Sequence, residues 1–236
     1  MNIELSLLCA TAASVGFVHT LLGPDHYIPF IAISKARNWS LRKSISIVVL
    51  CGLGHVLSSI LLGFIGIALG SALLSLTAFE SLRGVFAGYL LIIFGFVYMV
   101  WGIKQAVKNR RHEHFHYHEG EIHHSHEHNH LGEHSHIESE NKKNITPWVL
   151  FLIFIFGPCE PLIPLIMYPA ARHNMFAVFI VSLIFGLITI ATMTAITVTA
   201  LLGFKLLDVR KLERYMHALA GFAIFICGIS VILFDI

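Results

Sequence analysis

The sequence has little charge. Asp, Glu, Lys and Arg make up 13% of its 236 residues, about half of the roughly 25% that is usual in a soluble domain. Hydrophobic residues make up 56%, and the mean hydropathy is +0.75. This composition excludes an ordinary soluble domain and predicts a protein that crosses the bilayer several times. We expect membrane lipid and not nucleic acid as a partner.

The sequence also lacks the cysteine framework of a small secreted protein. Its four cysteines all lie in apolar segments, at Cys9, Cys51, Cys159 and Cys227. This placement gives no sign of a disulfide scaffold. Residues 1–14 contain no Lys or Arg, so they lack the basic region of a cleaved signal peptide. We therefore expect this segment to be the start of the first membrane helix.

Six apolar segments are long enough to cross a bilayer, which takes about 20 residues. They are approximately 3–33, 44–70, 82–104, 147–170, 174–203 and 213–234. If they alternate in direction, all Lys and Arg except Arg83 and Arg172 fall on one side. The positive-inside rule makes that side cytoplasmic. We expect a multi-pass inner (plasma) membrane protein with both termini outside and the polar loop in the cytoplasm.

The two halves of the chain resemble each other. Gly23-Pro24 matches Gly157-Pro158, and Gly88 and Gly95 match Gly221 and Gly228, at offsets of 134 and 133 residues. Three spans per half is an odd number, so the second half would be inverted relative to the first, as in many secondary transporters. We predict an all-α fold of two inverted three-helix repeats, 1–105 and 147–236, with broken first helices and a loop at 106–146.

The predicted breaks carry the polar residues of the apolar segments. They read GPDHYIP at 23–29 and GPCEPLIP at 157–164. Proline removes a helical hydrogen bond, and a broken membrane helix survives only inside protein or beside a watery cavity. Carboxylate, imidazole and thiolate together suit a transition metal. We expect a metal site near the middle of the membrane, formed by Asp25, His26, His19, His55, Cys159 and Glu160.

Structural roles for the same residues stay open. The prolines could only kink helices for packing, and Asp25 and His26 could be a buried hydrogen-bonded pair. A lone buried cysteine is more often a small core residue than a ligand, which applies to Cys159. His55 could equally be a hydrogen-bonded helix residue.

The segment between the halves is rich in histidine. Such a tract cannot bury a core and should be disordered without metal, while its composition predicts metal capture or sensing. We expect a nickel, cobalt or zinc ion both to bind to the loop and to be the transported substrate, and we expect no permanent cofactor. A further partner would be a second copy of the chain or a cytoplasmic metallochaperone. The eleven histidines are His112, His114, His116, His118, His123, His124, His126, His128, His130, His134 and His136.

Several of these motifs resemble the nickel/cobalt transporter superfamily, particularly its UreH-like and exporter branches. The resemblance lies in HTLLGPDH at 19–26, Gly54-His55, GPCEP at 157–161 and the histidine-rich loop. It implies a secondary transporter of nickel or cobalt, with zinc as a variant, and not an enzyme. It also implies metal recognition by His19, Asp25 and His26. The loop slightly favours export over import. Five residues separate His19 from Asp25, whereas the best-known importers have four. Because one extra residue turns a helical position by about 100°, the coordination geometry and transport direction of those importers do not carry over to this sequence.

A second resemblance points to another class of protein. GPCEPLIP resembles the Pro-Cys helix breaks of the CcdA/DsbD-type thiol electron carriers, which also have inverted three-helix repeats. Those carriers need a cysteine in each half, but here Asp25 matches Cys159. Metal transport is therefore the preferred prediction, and a thiol-disulfide electron carrier is the alternative. Transport of a small organic or sulfur-containing solute, with the loop as a metal sensor, is a third hypothesis.

Overall fold

The computed structural model describes residues 3–70, 73–108, 112–115, 125–128, 145–205 and 210–234. Eight α-helices lie in this part of the chain, together with 3₁₀ helices at Pro24–His26 and Arg210–Tyr215. The α-helices are α1 (Ile3–Leu22), α2 (Ile28–Ala36), α3 (Leu41–Ala68), α4 (Leu73–Lys108), α5 (Thr146–Phe156), α6 (Leu162–Ala171), α7 (Met175–Lys205) and α8 (Met216–Phe234).

Long apolar helices dominate the described chain. Five are long and apolar enough to cross a membrane, namely Ile3–Leu22, Leu41–Ala68, Leu73–Lys108, Met175–Phe204 and Leu212–Phe234. Large apolar side chains such as Leu74, Ile93 and Phe176 are exposed on them, as lipid-facing residues are. The prediction of a helical multi-pass membrane protein is confirmed. The fourth predicted segment, 147–170, consists of two short helices, α5 and α6.

Both predicted helix breaks are present. In the first, α1 ends at Leu22, a 3₁₀ turn follows, and α2 begins at Ile28. In the second, α5 ends at Phe156 and α6 begins at Leu162. Contacts of α3 with α5 and α7, and of α1 with α7, place the breaks near one another.

One predicted boundary is wrong. The third segment was expected to begin at residue 82, but α4 begins at Leu73, so Glu80 lies within the helix.

Within the histidine-rich segment, the described residues form a short antiparallel pair of strands, β1 (His112–Phe115) and β2 (Ser125–His128).

Glycines bring α4 and α8 into close contact. A methyl group at Gly95 would lie 2.9 Å from the carbonyl oxygen of Gly221, and one at Gly228 would lie 2.7 Å from the amide nitrogen of Ile92. Small residues allow membrane helices to pack backbone to backbone. Gly88, Gly95 and Gly102, which are spaced seven residues apart on α4, all lie against α8.

Candidate functional site

Three histidines from separate elements meet at the first helix break. His19 lies on α1, His26 in the 3₁₀ turn and His55 on α3. The ring centroids of His19 and His26 are 4.8 Å apart, and those of His26 and His55 are 5.1 Å apart. One ring nitrogen from each residue lies within 4.8 Å of the other two. His26 and His55 are each 1% exposed, and His19 is partly buried.

Hydrogen bonds fix the orientation and tautomer of His26. Its Nδ1 lies 3.1 Å from Asp25 Oδ1 and 3.2 Å from the carbonyl oxygen of Gly23. Both partners can only accept when Asp25 is ionised, so Nδ1 carries the hydrogen and Nε2 of the neutral ring keeps its lone pair. Within the described chain, the buried Nε2 atoms of His26 and His19 have no hydrogen-bond partner. A buried nitrogen left unpaired is unusual in folded proteins.

The second helix break places a thiol against His55. Pro158 has no N–H to donate to the carbonyl of Phe154, four residues earlier. That oxygen lies 3.3 Å from His55 Nδ1, which therefore carries the hydrogen. The lone pair of His55 Nε2 then faces Cys159 Sγ at 2.9 Å, and Cys159 is fully buried. The geometry suits transfer of the thiol proton to His55.

A buried ion pair on α4 supports this break. Glu80 is fully buried and forms an ion pair with Arg83. Its Oε2 accepts hydrogen bonds from the backbone N–H of Cys159 at 3.0 Å and from Ser59 Oγ at 3.2 Å. Glu80 thus fixes the position of the Cys159 backbone.

Arg83 satisfies carbonyl groups that the break leaves free. The N–H of Cys159 turns to Glu80, and Pro161 has no N–H, so the carbonyls of Ile155 and Gly157 lose their helical partners. Arg83 Nη2 donates to them at 2.8 and 3.2 Å. In an apolar environment each unsatisfied carbonyl would cost several kcal/mol, on the order of 2–7. The pair therefore lets the chain stay non-helical at this depth.

Sequence reasoning missed Glu80 and Arg83. The predicted third segment began at residue 82, after Glu80, and Arg83 was counted only in the charge distribution. The available signal was the spacing itself. Acidic and basic residues three positions apart on one helix are neighbours, and ionisable residues inside a membrane helix are usually functional.

The structure brings together only part of the predicted six-residue site. His19, His26 and His55 form one group, Asp25 contacts His26, and Cys159 contacts His55. Glu160 lies partly buried between α5 and α6 and is not a member of the histidine group. Of the eleven loop histidines, His112, His114, His126 and His128 lie in β1 and β2. The other seven lie outside the described residues: His116, His118, His123, His124, His130, His134 and His136.

The chain matches one family model, described as the cytochrome c biogenesis protein transmembrane region, over residues 27–230. No curated protein and no solved structure matches it. The match covers His55 and Cys159 but begins after His26. It shows that the predicted assignment to the nickel/cobalt transporters was wrong, and with it the predicted transport of nickel, cobalt or zinc. The resemblance to CcdA/DsbD-type proteins is the one it supports. The chain therefore belongs to the cytochrome c biogenesis protein transmembrane region family.

Proposed function

We propose that this protein carries out thiol-disulfide exchange within the membrane, with Cys159 as the exchanging thiol. The observation that carries the proposal is the 2.9 Å contact between Cys159 Sγ and His55 Nε2 at a proline break. A thiolate, and not a thiol, is the attacking species in exchange. A fully buried cysteine without a base would remain protonated and inert, so the facing lone pair of His55 distinguishes Cys159 from an ordinary core residue.

The proposed exchange needs only one cysteine of this chain. The thiol proton passes to His55 Nε2, and the thiolate attacks one sulfur of an acceptor disulfide. A mixed disulfide forms, and the sulfur that leaves takes up the proton from His55. A donor thiol then gives up its proton and attacks Cys159 Sγ, and the acceptor sulfur that leaves takes up a proton, so the acceptor is released as a dithiol and the donor is joined to Cys159. The donor's second thiol closes the donor disulfide and returns Cys159 to a thiol. Two electrons and two protons pass from donor to acceptor.

The single-cysteine cycle answers the objection raised by the sequence. The position that matches Cys159 in the first half is Asp25, so no internal disulfide can form between matched positions. All four cysteines are free thiols. In the proposed cycle the second sulfur of every disulfide belongs to the donor or to the acceptor, so no repeat-matched cysteine is required.

Cys159 must become accessible for exchange to occur. The break between α5 and α6 is the place where such opening would cost least, because its backbone lacks regular helical hydrogen bonds and relies on Glu80 and Arg83. We propose that movement of α5 and α6 against α4 exposes the thiol in turn to the two sides of the membrane.

We further propose six crossings, arranged as two inverted repeats at 1–105 and 147–236, with α5 and α6 together forming the fourth crossing. The helix contacts support this arrangement. In two equivalent halves, α1, α2, α3 and α4 correspond in order to α5, α6, α7 and α8. The contact α1–α7 then has its counterpart in α5–α3, and α2–α8 in α6–α4, while α3–α7 and α4–α8 are contacts between equivalent helices. Exchanging the halves leaves these contacts unchanged. The charge distribution supports an inner-membrane location with both termini outside.

The proposal can be tested in proteoliposomes. A reduced dithiol protein enclosed in the lumen serves as donor, and a disulfide-bonded protein outside serves as acceptor. We expect reduction of the external disulfide by the wild type and by the variant with Cys9, Cys51 and Cys227 all replaced by Ser. Cys159→Ser should abolish it, although serine preserves the size and packing of the site.

Trapping gives a second readout of the same cycle. Rapid acid quenching during turnover should preserve a disulfide between Cys159 and a partner protein, which mass spectrometry of the joined peptides would identify. The proposal is wrong if Cys159→Ser reduces the external disulfide at the wild-type rate, or if the variant that retains only Cys159 is inactive while correctly folded.

A further inference from the structure

We propose that His19, His26 and His55 form a binding site for a divalent transition metal ion, of which zinc is the representative. The ion would take the lone pair of His55 Nε2 that serves as the base in the proposed thiol exchange, so ion and proton occupy this atom in turn, and the zinc-bound protein is the form in which Cys159 is not activated. The site itself does not depend on the proposed exchange. One ring nitrogen from each histidine lies within 4.8 Å of the others, and the three residues come from three different elements of the fold. His19 and His26 would lie two turns apart on a continuous helix, and the break between α1 and α2 brings them together beside His55 on α3.

The unpaired nitrogens indicate what the cluster lacks. His19 Nε2 and His26 Nε2 are buried and have no hydrogen-bond partner within the described chain. Leaving a buried polar atom unsatisfied costs about 1–3 kcal/mol. A metal ion accepts lone pairs from neutral imidazoles and would satisfy both atoms at once.

The surroundings of the rings match those of metal-bound histidines. Such residues usually donate their second N–H to a carboxylate or a backbone carbonyl, which fixes the ring. His26 Nδ1 faces Asp25 Oδ1 at 3.1 Å, and His55 Nδ1 faces the carbonyl of Phe154 at 3.3 Å. Asp25 would thus orient a ligand without binding the ion itself. Its carboxylate also places a negative charge beside the cation, which lowers the cost of holding the ion in an apolar environment.

The donor set selects the class of ion. Neutral imidazoles suit zinc, copper and other first-row metals, while Ca²⁺ and Mg²⁺ prefer oxygen. Zinc commonly takes three histidines and leaves a fourth position open. With Zn–N distances of about 2.0–2.1 Å, the nitrogens of a tetrahedral site lie about 3.3 Å apart, so binding would draw the rings together by up to about 1.5 Å.

The experiment compares full-length variants, so that the histidine-rich segment is present in each and contributes equally. Protein is purified from cells grown with added zinc and washed with EDTA, and the zinc that remains is measured by atomic absorption. We expect wild type to retain one more zinc ion per chain than His26→Gln or His19→Gln. His217→Gln is the matched control, because His217 is hydrogen-bonded to Tyr98 and does not belong to the histidine group, and it should retain the wild-type amount.

X-ray absorption at the zinc edge provides a readout on the wild type alone. The spectrum of the retained ion should show imidazole scattering from three ligands, whether or not the variants fold well. Cys159→Ser should keep the zinc while losing thiol exchange, which separates failure of this proposal from failure of the proposed function. The metal site is refuted if washed wild type holds no zinc, or if His26→Gln and His19→Gln hold as much as wild type.

Discussion

Glu80 accepts a hydrogen bond from the backbone N–H of Cys159 at 3.0 Å, across 79 positions of the sequence. This contact joins the N-terminal part of the long helix α4 to the irregular segment that carries the thiol. Arg83 beside it donates to the carbonyls of Ile155 and Gly157, which have no helical partner at the break. The break is therefore a built feature of the fold, and its stability depends on a charge pair supplied by another helix.

We expect Glu80→Gln to destabilise the protein strongly. The change leaves the Arg83 guanidinium, 12% exposed, without its counter-charge, and breaking a buried pair typically costs about 3–5 kcal/mol. Glu4→Gln is the control, because Glu4 and Arg172 are more than half exposed and 3.9 Å apart. Exposed pairs contribute about 0.2–1 kcal/mol. Thermal unfolding in detergent should show a large loss for Glu80→Gln alone; equal losses would contradict the proposed role of the ion pair.

We expect Gly157→Ala to lower the reactivity of Cys159 with alkylating agents. The added methyl group would lie 2.9 Å from His55 Nδ1, so the ring must shift from the position in which its Nε2 faces the thiol. Overpacking of this kind costs about 1–3 kcal/mol, which corresponds to a loss of roughly 5-fold to 150-fold in the population of the His55–Cys159 contact. Alkylation is followed by mass spectrometry in the variant that retains only Cys159.

Gly203→Ala serves as the control for that substitution, since no atom lies within 4 Å of the position a methyl group would take there. It should leave the alkylation rate unchanged. A Gly157→Ala protein that reacts as fast as the control would show that His55 does not activate the thiol.

The sequence predicted which residues form the site better than it predicted how they are arranged. The prolines located both breaks, and local motifs identified His19, His26, His55 and Cys159. Their grouping depends on how α1, α3 and the second break pack, which single-sequence patterns do not contain. The sequence therefore led to one six-residue metal site, where the structure has a histidine group with Asp25 beside it and a separate thiol contact.

The close approach of α4 and α8 predicts a sharp cost for any added side chain. A methyl group at Gly228 would lie 2.7 Å from the amide nitrogen of Ile92, and backbone cannot move aside as a flexible side chain can. We expect Gly228→Ala to destabilise the protein by about 1–3 kcal/mol. At the open Gly203, the same change should stabilise by up to about 1 kcal/mol, because glycine is unfavourable in a helix interior. Denaturation in detergent would compare the two, and a stabilised Gly228→Ala variant would contradict the packing.

The last prediction concerns the number of crossings. Five helices can cross alone, and α5 with α6 supplies the sixth crossing only if the broken pair spans the bilayer together. Six crossings put both termini on one side of the membrane, whereas five put them on opposite sides. The strong bias of Lys and Arg to one side then requires both termini to be outside.

Reporter fusions test this directly. An enzyme that is active only outside the cytoplasm should be active when fused to either terminus, and inactive when inserted at the connection between α2 and α3, near Asn38. Activity at one terminus only would mean that α5 and α6 enter and leave by the same face. That result would contradict the inverted repeat and the proposed alternating exposure of Cys159 to the two sides of the membrane. The contact between Cys159 and His55 would remain, but it would serve exchange at one face only.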